Sequence, residues 1–291
     1  MVIASVIITT FNRSKILEER SLRSVLNQTF RDYEIIVVDD AGTDDTSEMI
    51  KKYPNVRYYK FSTNKGLSYA RNYGISRAEG KYIVCLDDDN ELAPQFLEKI
   101  MAAFYDNQVG AVGCGRIIKY KDFSDSVVPK ISKFCPIDWG WLIKKEVFRE
   151  IEYDEELRAN EDMDFGIRFF KRFRAVVLKE PLCVAYDEFG DPKKSLSYPT
   201  SRELEGMLRF FRKNYHEYCG YPREKWHLYK LMGRKFYRGG FRLEGIKFFW
   251  KGLRAYKRFR SLLHLFFILF GWTIYDLFMT AEEKLAARLR K

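Results

Sequence analysis

The first ninety residues alternate short apolar runs with amphipathic stretches, and three of those runs end in a polar cluster. Residues 4–9 lead into Thr10-Phe11-Asn12-Arg13, residues 34–38 into Asp39-Asp40, and residues 82–86 into Asp87-Asp88-Asp89-Asn90. An apolar run bounded in this way suits a buried strand. Residues 56–61 read as a further strand. Between the runs, Ser14 is a capping candidate for a stretch carrying Leu17, Leu22, Val25 and Leu26, Thr43 or Asp44 caps a second running to Tyr53, and residues 67–78 form a third. This βαβα order predicts a mostly parallel sheet covered by helices.

Beyond Asn90, Pro94 stands near a helix start, and Phe96, Leu97, Ile100, Met101 and Phe104 recur at helical spacing as core residues. Residues 110–118 read as a strand, 139–151 as a strand or turn entering a helix, and 164–174 as a helix with Phe165, Phe169 and Phe170 on its apolar side. The polar loop 187–200, with Gly190, Pro192 and Pro199, is expected to be a boundary or a mobile lid. Two domains are therefore expected, an α/β body over 1–200 and a helical, basic region over 201–291.

In an open parallel sheet, ligands bind beyond the carboxyl ends of the strands. Three polar clusters at three strand ends converge on one crevice. The adjacent carboxylates of Asp87, Asp88 and Asp89 repel one another unless a cation or hydrogen-bond donors compensate them, so either a metal site or a solvated acidic turn is expected. A divalent ion held by carboxylates completes its shell with water and substrate phosphates. No Gly-x-Gly-x-x-Gly follows the first strand and no Gly-Lys-Ser/Thr loop occurs anywhere, which argues against a dinucleotide fold and a P-loop ATPase.

Five stretches, in order and correctly spaced, carry a resemblance. Ser5 to Arg13, Val37 to Asp44, Asn64 to Gly74, Leu86 to Asn90 and Asn160-Glu-Asp-Met-Asp-Phe165 together resemble family 2 glycosyltransferases of GT-A fold, over about residues 3–175. The resemblance implies a nucleotide-sugar donor, Mn2+ or Mg2+, and inversion at the anomeric carbon. Residues 1–110 then become the nucleotide-sugar half and 111–200 the acceptor half.

By position, Asp87 and Asp89 resemble the metal-binding pair, with Asp89 the direct ligand and Asp88 either a ribose contact or a solvent-facing neighbour. Asp40 resembles the acceptor for the uracil N–H and Phe11 the aromatic beside the base, where the family more often has Tyr. Thr9, Asn12, Arg13 and Lys65 fall in the same nucleotide-binding stretches. Asp39 either joins them or braces its loop, and Arg71 either nears the base and phosphates or pairs with a carboxylate. Asp162 resembles the general base, oriented by a helix start that favours its ionised form. Glu161, Asp164, Trp139 and Trp141 are candidates for the acceptor side, with helix positioning the alternative for Asp164 and core packing for the tryptophans.

The net charge of +11 is concentrated: residues 221–260 hold 13 Lys or Arg against Glu224 and Glu244, leaving 38 basic and 38 acidic residues elsewhere. From 242 to 260, Leu243, Ile246, Phe248, Phe249, Trp250, Leu253, Tyr256 and Phe259 interleave with Lys247, Lys251, Arg254, Lys257 and Arg258. Such a stretch reads as a helix lying on an anionic membrane surface and fits lipid better than nucleic acid. Residues 262–279 are mostly apolar, but Asp276 is costly in hydrocarbon, so an in-plane anchor is favoured over a span. A cytoplasmic, peripheral or monotopic enzyme with a lipid-linked or polyprenyl acceptor follows.

The five cysteines lack zinc or disulfide spacing and read as core thiols of a reducing compartment, and the start of the chain reads as a strand rather than an export signal. His216, His227 and His264 are expected at surfaces or interfaces. The competing readings are a sugar-phosphate nucleotidyltransferase, which needs a Gly-rich basic loop after the first strand, and a non-catalytic membrane scaffold.

Overall fold

The structure is a computed structural model, and it describes residues 2–106, 108–120, 123–186, 201–256, 259–269 and 275. The chain divides into two compact units, Met1–Glu156 with Asn160–Ser195, and Leu157–Ala159 with Leu196–Lys291.

The first unit is built on strands β1 (Ala4–Thr10), β2 (Tyr33–Asp39), β3 (Val56–Lys60), β4 (Tyr82–Asp87), β5 (Glu91–Leu92), β6 (Val109–Lys119), β7 (Ser124–Val127), β8 (Trp141–Lys144) and β9 (Arg174–Tyr186). They form one sheet in the order β3-β2-β1-β4-β8-β6-β9-β5, with β7 on the edge of β6. Pairs among β1, β2, β3 and β4 are parallel, as is β6 with β9. Antiparallel β8 joins these two blocks by pairing with both β4 and β6.

Alternation along the strands makes two cores. Val6 and Ile8 of β1 face one cluster with Val37, Val84 and Leu86; Ile7 faces the other with Ile36, Val38, Ile83 and Cys85. Successive strand side chains point to opposite faces, so a run apolar at every position must be covered on both sides. The first layer is closed by α1 (Ser14–Leu17), a π-helical turn (Glu18–Leu22) and α2 (Arg23–Leu26), which supply Leu17, Leu22 and Val25, by α3 (Thr46–Ile50), and by α5 (Phe96–Ala102) with Phe96, Leu97 and Ile100. The second is closed by α4 (Leu67–Arg77) and α6 (Glu161–Phe169), whose Phe165 and Phe169 have no exposed surface. Cys85, Cys114, Cys135 and Cys183 are buried free thiols; Cys219 is exposed.

Two local expectations change. Ser14 starts α1 without capping it; instead the Asp44 carboxylate accepts from the Ser14 N–H at 2.8 Å and from Thr46 at the start of α3. The helix expected over 164–174 spans Glu161–Phe169, because Val176 and Val177 pair with β6 in the long strand β9. The loop at 187–200 lies outside the described residues.

The second unit contains α7 (Ser201–Asn214), α8 (Pro222–Arg238), α9 (Arg242–Ala255) and α10 (Phe259–Leu269). Helices α8 and α9 meet at glycines: a Cβ on Gly233 would collide with the Phe249 ring, and one on Gly245 with the Gly233 carbonyl oxygen. Trp226, Tyr237, Phe249, Ile268 and Tyr275 form the core, with Ile246 and Tyr256 packed on it. Of the apolar stretch expected on a membrane, Phe249 is thus interior and Ile246, Phe248, Leu253 and Tyr256 are partly buried, while Leu243 and Trp250 stay exposed. His264, expected at a surface or an interface, is buried; its Nδ1 lies 3.1 Å from the Tyr275 hydroxyl and its ring beside that of Trp226. Among the described residues, no helix is long and apolar enough to cross a membrane; residues 270–274 and 276–279 of the expected anchor fall outside them.

Candidate active site

Strands β1, β2 and β4 end side by side, Thr10 being the register partner of Asp39 and Thr9 that of Asp87. The loops beyond these ends depart from ordinary backbone. Asn12 (φ 55°), Ala41 (φ 68°) and, before α6, Asn160 (φ 58°) occupy the left-handed region, which disfavours side chains with a Cβ. Such strain persists where the surroundings over-determine the geometry. Here they do: the Asn12 carboxamide accepts the Thr43 N–H at 2.6 Å, and Asp39 accepts the Gly42 N–H at 2.7 Å.

The three aspartates are compensated by arginines. Arg13 lies 3.1 Å from Asp88 and 2.9 Å from Asp89; Thr10 Oγ1 donates to Asp88 at 2.8 Å. Arg71, only 3% exposed, bridges Asp87 at 2.8 Å and Glu161 at 2.9 Å, with the Tyr153 ring 5.2 Å away. Burial, offset by Arg13 and Thr10 and reinforced by Asp89 and Asp87, pushes the Asp88 carboxyl up to about 6. Burial and repulsion from Asp87 also raise Asp89, against Arg13. A cation beside Asp87 and Asp89 would relieve that repulsion. Their side chains are 30% and 34% exposed, and among the described residues no three His, Cys, Asp or Glu side chains converge as a cage. Two open carboxylates fit an ion whose shell is completed by water and phosphate oxygens.

Asp162 sits at the start of α6, where its Oδ1 accepts the Met163 N–H at 2.8 Å. Desolvation first, then the charges of Glu161 and Asp138, push its carboxyl up to about 7, against Arg71. A carboxylate so placed is poised to take a proton near neutral pH. Asp138 was missed in the sequence, as was Arg116, which grips it through both guanidinium nitrogens at 2.8 and 2.5 Å and lies 4.7 Å over the Trp139 ring. Their 22-residue separation leaves no local signal. The loop carrying Asp138 is tied to α6, since the Ile137 N–H donates to the Asp162 carbonyl.

Several expected contacts prove to be internal. Asp39 is fully buried and also accepts from the Tyr58 hydroxyl at 2.7 Å, so it braces its loop. Asp40 accepts the Lys65 and Gly66 N–H groups at 2.6 and 2.8 Å, holding the turn into α4. Thr9 is buried, and Arg71 is enclosed by its carboxylates rather than open to a nucleotide. Glu161 is committed to Arg71, and buried Asp164 to Arg168 at 2.7 Å, which makes Asp164 a helix-positioning residue. Trp141 has no exposed surface and packs in the second core, in keeping with the core-packing alternative; Trp139 is nearly buried beneath Arg116. Facing outward are Phe11, 47% exposed, with Asn12, Lys65, and parts of Arg13, Asp87 and Asp89.

Residues 5–180 match the family described as Glycosyl transferase family 2. The chain belongs to this family. An uncharacterized glycosyltransferase of Rickettsia bellii is 35% identical over 183 residues, 58% of this chain but only 26% of that protein, so the chain spans about a quarter of that relative's length. The Campylobacter jejuni GalNAc(5)-diNAcBac-PP-undecaprenol beta-1,3-glucosyltransferase is 31% identical over 54% of this chain and 56% of its own. Two solved structures share the fold. The Staphylococcus aureus TarS 1–349 complex with UDP-GlcNAc has a TM-score of 0.59 at 21% identity, covering 87% of this chain and 81% of that one. The Pyrobaculum calidifontis mannosyltransferase PcManGT, with GDP-Man and Mn2+, has a TM-score of 0.58 at 18% identity, covering 98% and 85%. This family 2 member thus has the GT-A fold, in a mixed sheet flanked by helices.

Proposed function

We propose that the chain transfers a sugar, with inversion, from a nucleotide-sugar to a hydroxyl or phosphate oxygen of a lipid-linked acceptor at the cytoplasmic membrane face. The observation that carries this reading is the chain of ion pairs Asp87–Arg71–Glu161, which runs from the carboxylate cluster to the residue beside Asp162. It spaces a leaving-group site and a base in one rigid unit. In the transfer, the acceptor oxygen bonds to the anomeric carbon as the bond from that carbon to the donor phosphate oxygen breaks. The acceptor proton passes to Asp162 and the nucleoside diphosphate leaves on the opposite face. No covalent enzyme intermediate is needed.

Asp87 and Asp89 are the residues to hold Mn2+ or Mg2+, which when bound neutralises charge on the diphosphate. Arg13, now on Asp88 and Asp89, is placed to accompany the phosphates. Phe11 offers a flat exposed face for a base, and the preference for uridine rests on the resemblance of Asp40 to the acceptor for the uracil N–H. The acceptor class draws on the undecaprenol-linked substrate in the name of the Campylobacter relative. It draws also on the outer face of α9, where exposed Leu243 and Trp250 share the surface with Lys247, Lys251 and Arg254. Apolar and basic groups together suit an anionic bilayer surface.

Incubating the full chain with a panel of nucleotide-sugars, Mn2+ and polyprenyl-phosphate acceptors tests the reading. Nucleoside diphosphate is the expected product. Nucleotidylated acceptor with release of sugar 1-phosphate instead would identify nucleotidyl transfer and overturn it.

A further inference from the structure

The chemistry assigned so far leaves one polar group beside Asp89 unused. It is assembled from three distant segments. Arg20 comes from the π-helical turn Glu18–Leu22, Lys119 from the end of β6, and Tyr186 from the end of β9, where it is the register partner of Lys119. The Arg20 guanidinium lies 4.0 Å from the centroid of the Tyr186 ring. Lys119 Nζ lies 4.8 Å from that centroid and 3.1 Å from the Tyr186 hydroxyl, which donates to Glu91 at 2.7 Å. Arg20 also donates to the Asp89 carbonyl at 3.4 Å.

We propose that Arg20 and Lys119, gathered on Tyr186, form a clamp for a phosphoryl group at the rim of the carboxylate cluster. The proposal rests on the nucleotide-sugar reading above and extends it, because it adds a second set of phosphate contacts.

Two features argue for a ligand here rather than a surface tie. A guanidinium held over an aromatic face, as Arg20 is 4.0 Å above the Tyr186 ring centre, still has a fork of N–H donors that matches phosphate oxygens. A π-helical turn inside a helix is a rare insertion that recurs at functional sites, and here it carries Arg20. Arg20 is half-buried and Lys119 exposed, so the clamp opens to solvent. The phosphoryl group comes either from the donor diphosphate or from a phosphorylated acceptor.

Titration of the full chain with uridine diphosphate and, separately, with a polyprenyl phosphate in detergent micelles distinguishes these sources. Arg20→Gln with Lys119→Gln is expected to weaken one of the two by about tenfold, more at low salt than at high. Arg20→Lys should recover part of the loss. Tyr186→Phe, which keeps the ring and removes the hydroxyl, should retain nearly all binding, a result that a merely structural tie through Glu91 would not give. Loss confined to uridine diphosphate assigns the clamp to the donor, and loss confined to the polyprenyl phosphate assigns it to the acceptor.

Unchanged affinity for both ligands, with an unchanged unfolding midpoint, overturns the proposal. Because both arms read binding, a wild-type protein that transfers no sugar but shows these losses would sink the functional reading and leave the clamp standing.

Discussion

The two units spend charge in opposite ways. Among the described residues, the buried Asp and Arg side chains, Asp39, Asp40, Arg71, Asp88 and Asp164, all belong to the first unit, as do the three left-handed non-glycine residues. In the second unit the interior is aromatic, around Trp226, Tyr237, Phe249 and Tyr275, and the lysines and arginines of α9 point outward. Burying a charge is costly unless it is paired. A unit that carries several such charges in pairs is shaped by a task other than stability, whereas cations kept on the surface suit the anionic bilayer proposed as the second unit's partner.

The strongest way to break this contrast is Asp162→Asn. Transfer should fall by about 10²–10⁴-fold, the range of a general base, with nucleotide affinity retained; single-turnover kinetics beside a binding titration would read both. Unaltered turnover would remove the reason given for the buried charges.

In the second unit, changing Lys247, Lys251 and Arg254 together to Gln should weaken binding to anionic vesicles by about 100-fold, at roughly 1 kcal/mol per basic residue near the surface. Sedimentation with phosphatidylserine vesicles measures it, and neutral vesicles serve as the control. Equal binding by wild type and triple variant would deny the face its role.

Packing sharpens the contrast next. A Cβ on Gly166 would overlap the Cys135 carbonyl oxygen, which belongs to the loop that leads to Asp138, whereas Gly220 has open space around it. Gly166→Ala should therefore cost about 1–3 kcal/mol in denaturant unfolding, and Gly220→Ala should change stability by less than about 1 kcal/mol.

The smallest effect is on pH dependence. Asp138 helps to raise the Asp162 carboxyl to about 7, and a base acts when deprotonated, so activity should rise with pH to a midpoint near that value. Asp138→Asn removes a negative charge and leaves Arg116 beside the site. Both changes favour ionised Asp162, and the midpoint should move to lower pH by about one unit. A profile that stays in place, or moves upward, would separate Asp138 from the base.

Sequence periodicity was enough for β1, β2, β3 and β4, since each carries a short run of β-branched, aliphatic or aromatic residues bounded by polar turn residues. It missed β9, where Lys179, Glu180 and Pro181 interrupt the apolar pattern and pairing with β6 restores the strand through register shifts. It also left Trp141 open between acceptor contact and core, because an aromatic beside a glycine reads the same in both settings; only the fold puts that ring against Gly113.

The residues themselves determined that three polar strand ends would meet in one crevice, because strand length, alternation and helix spacing are local properties that a linear chain carries. What the tertiary structure alone decided is which charge answers which. Arg71 reaches Asp87 across 16 residues and Glu161 across 90, and Arg13 reaches Asp88 across 75. Charge pairing at such separations depends on where the sheet brings the groups, which spacing along the chain does not encode.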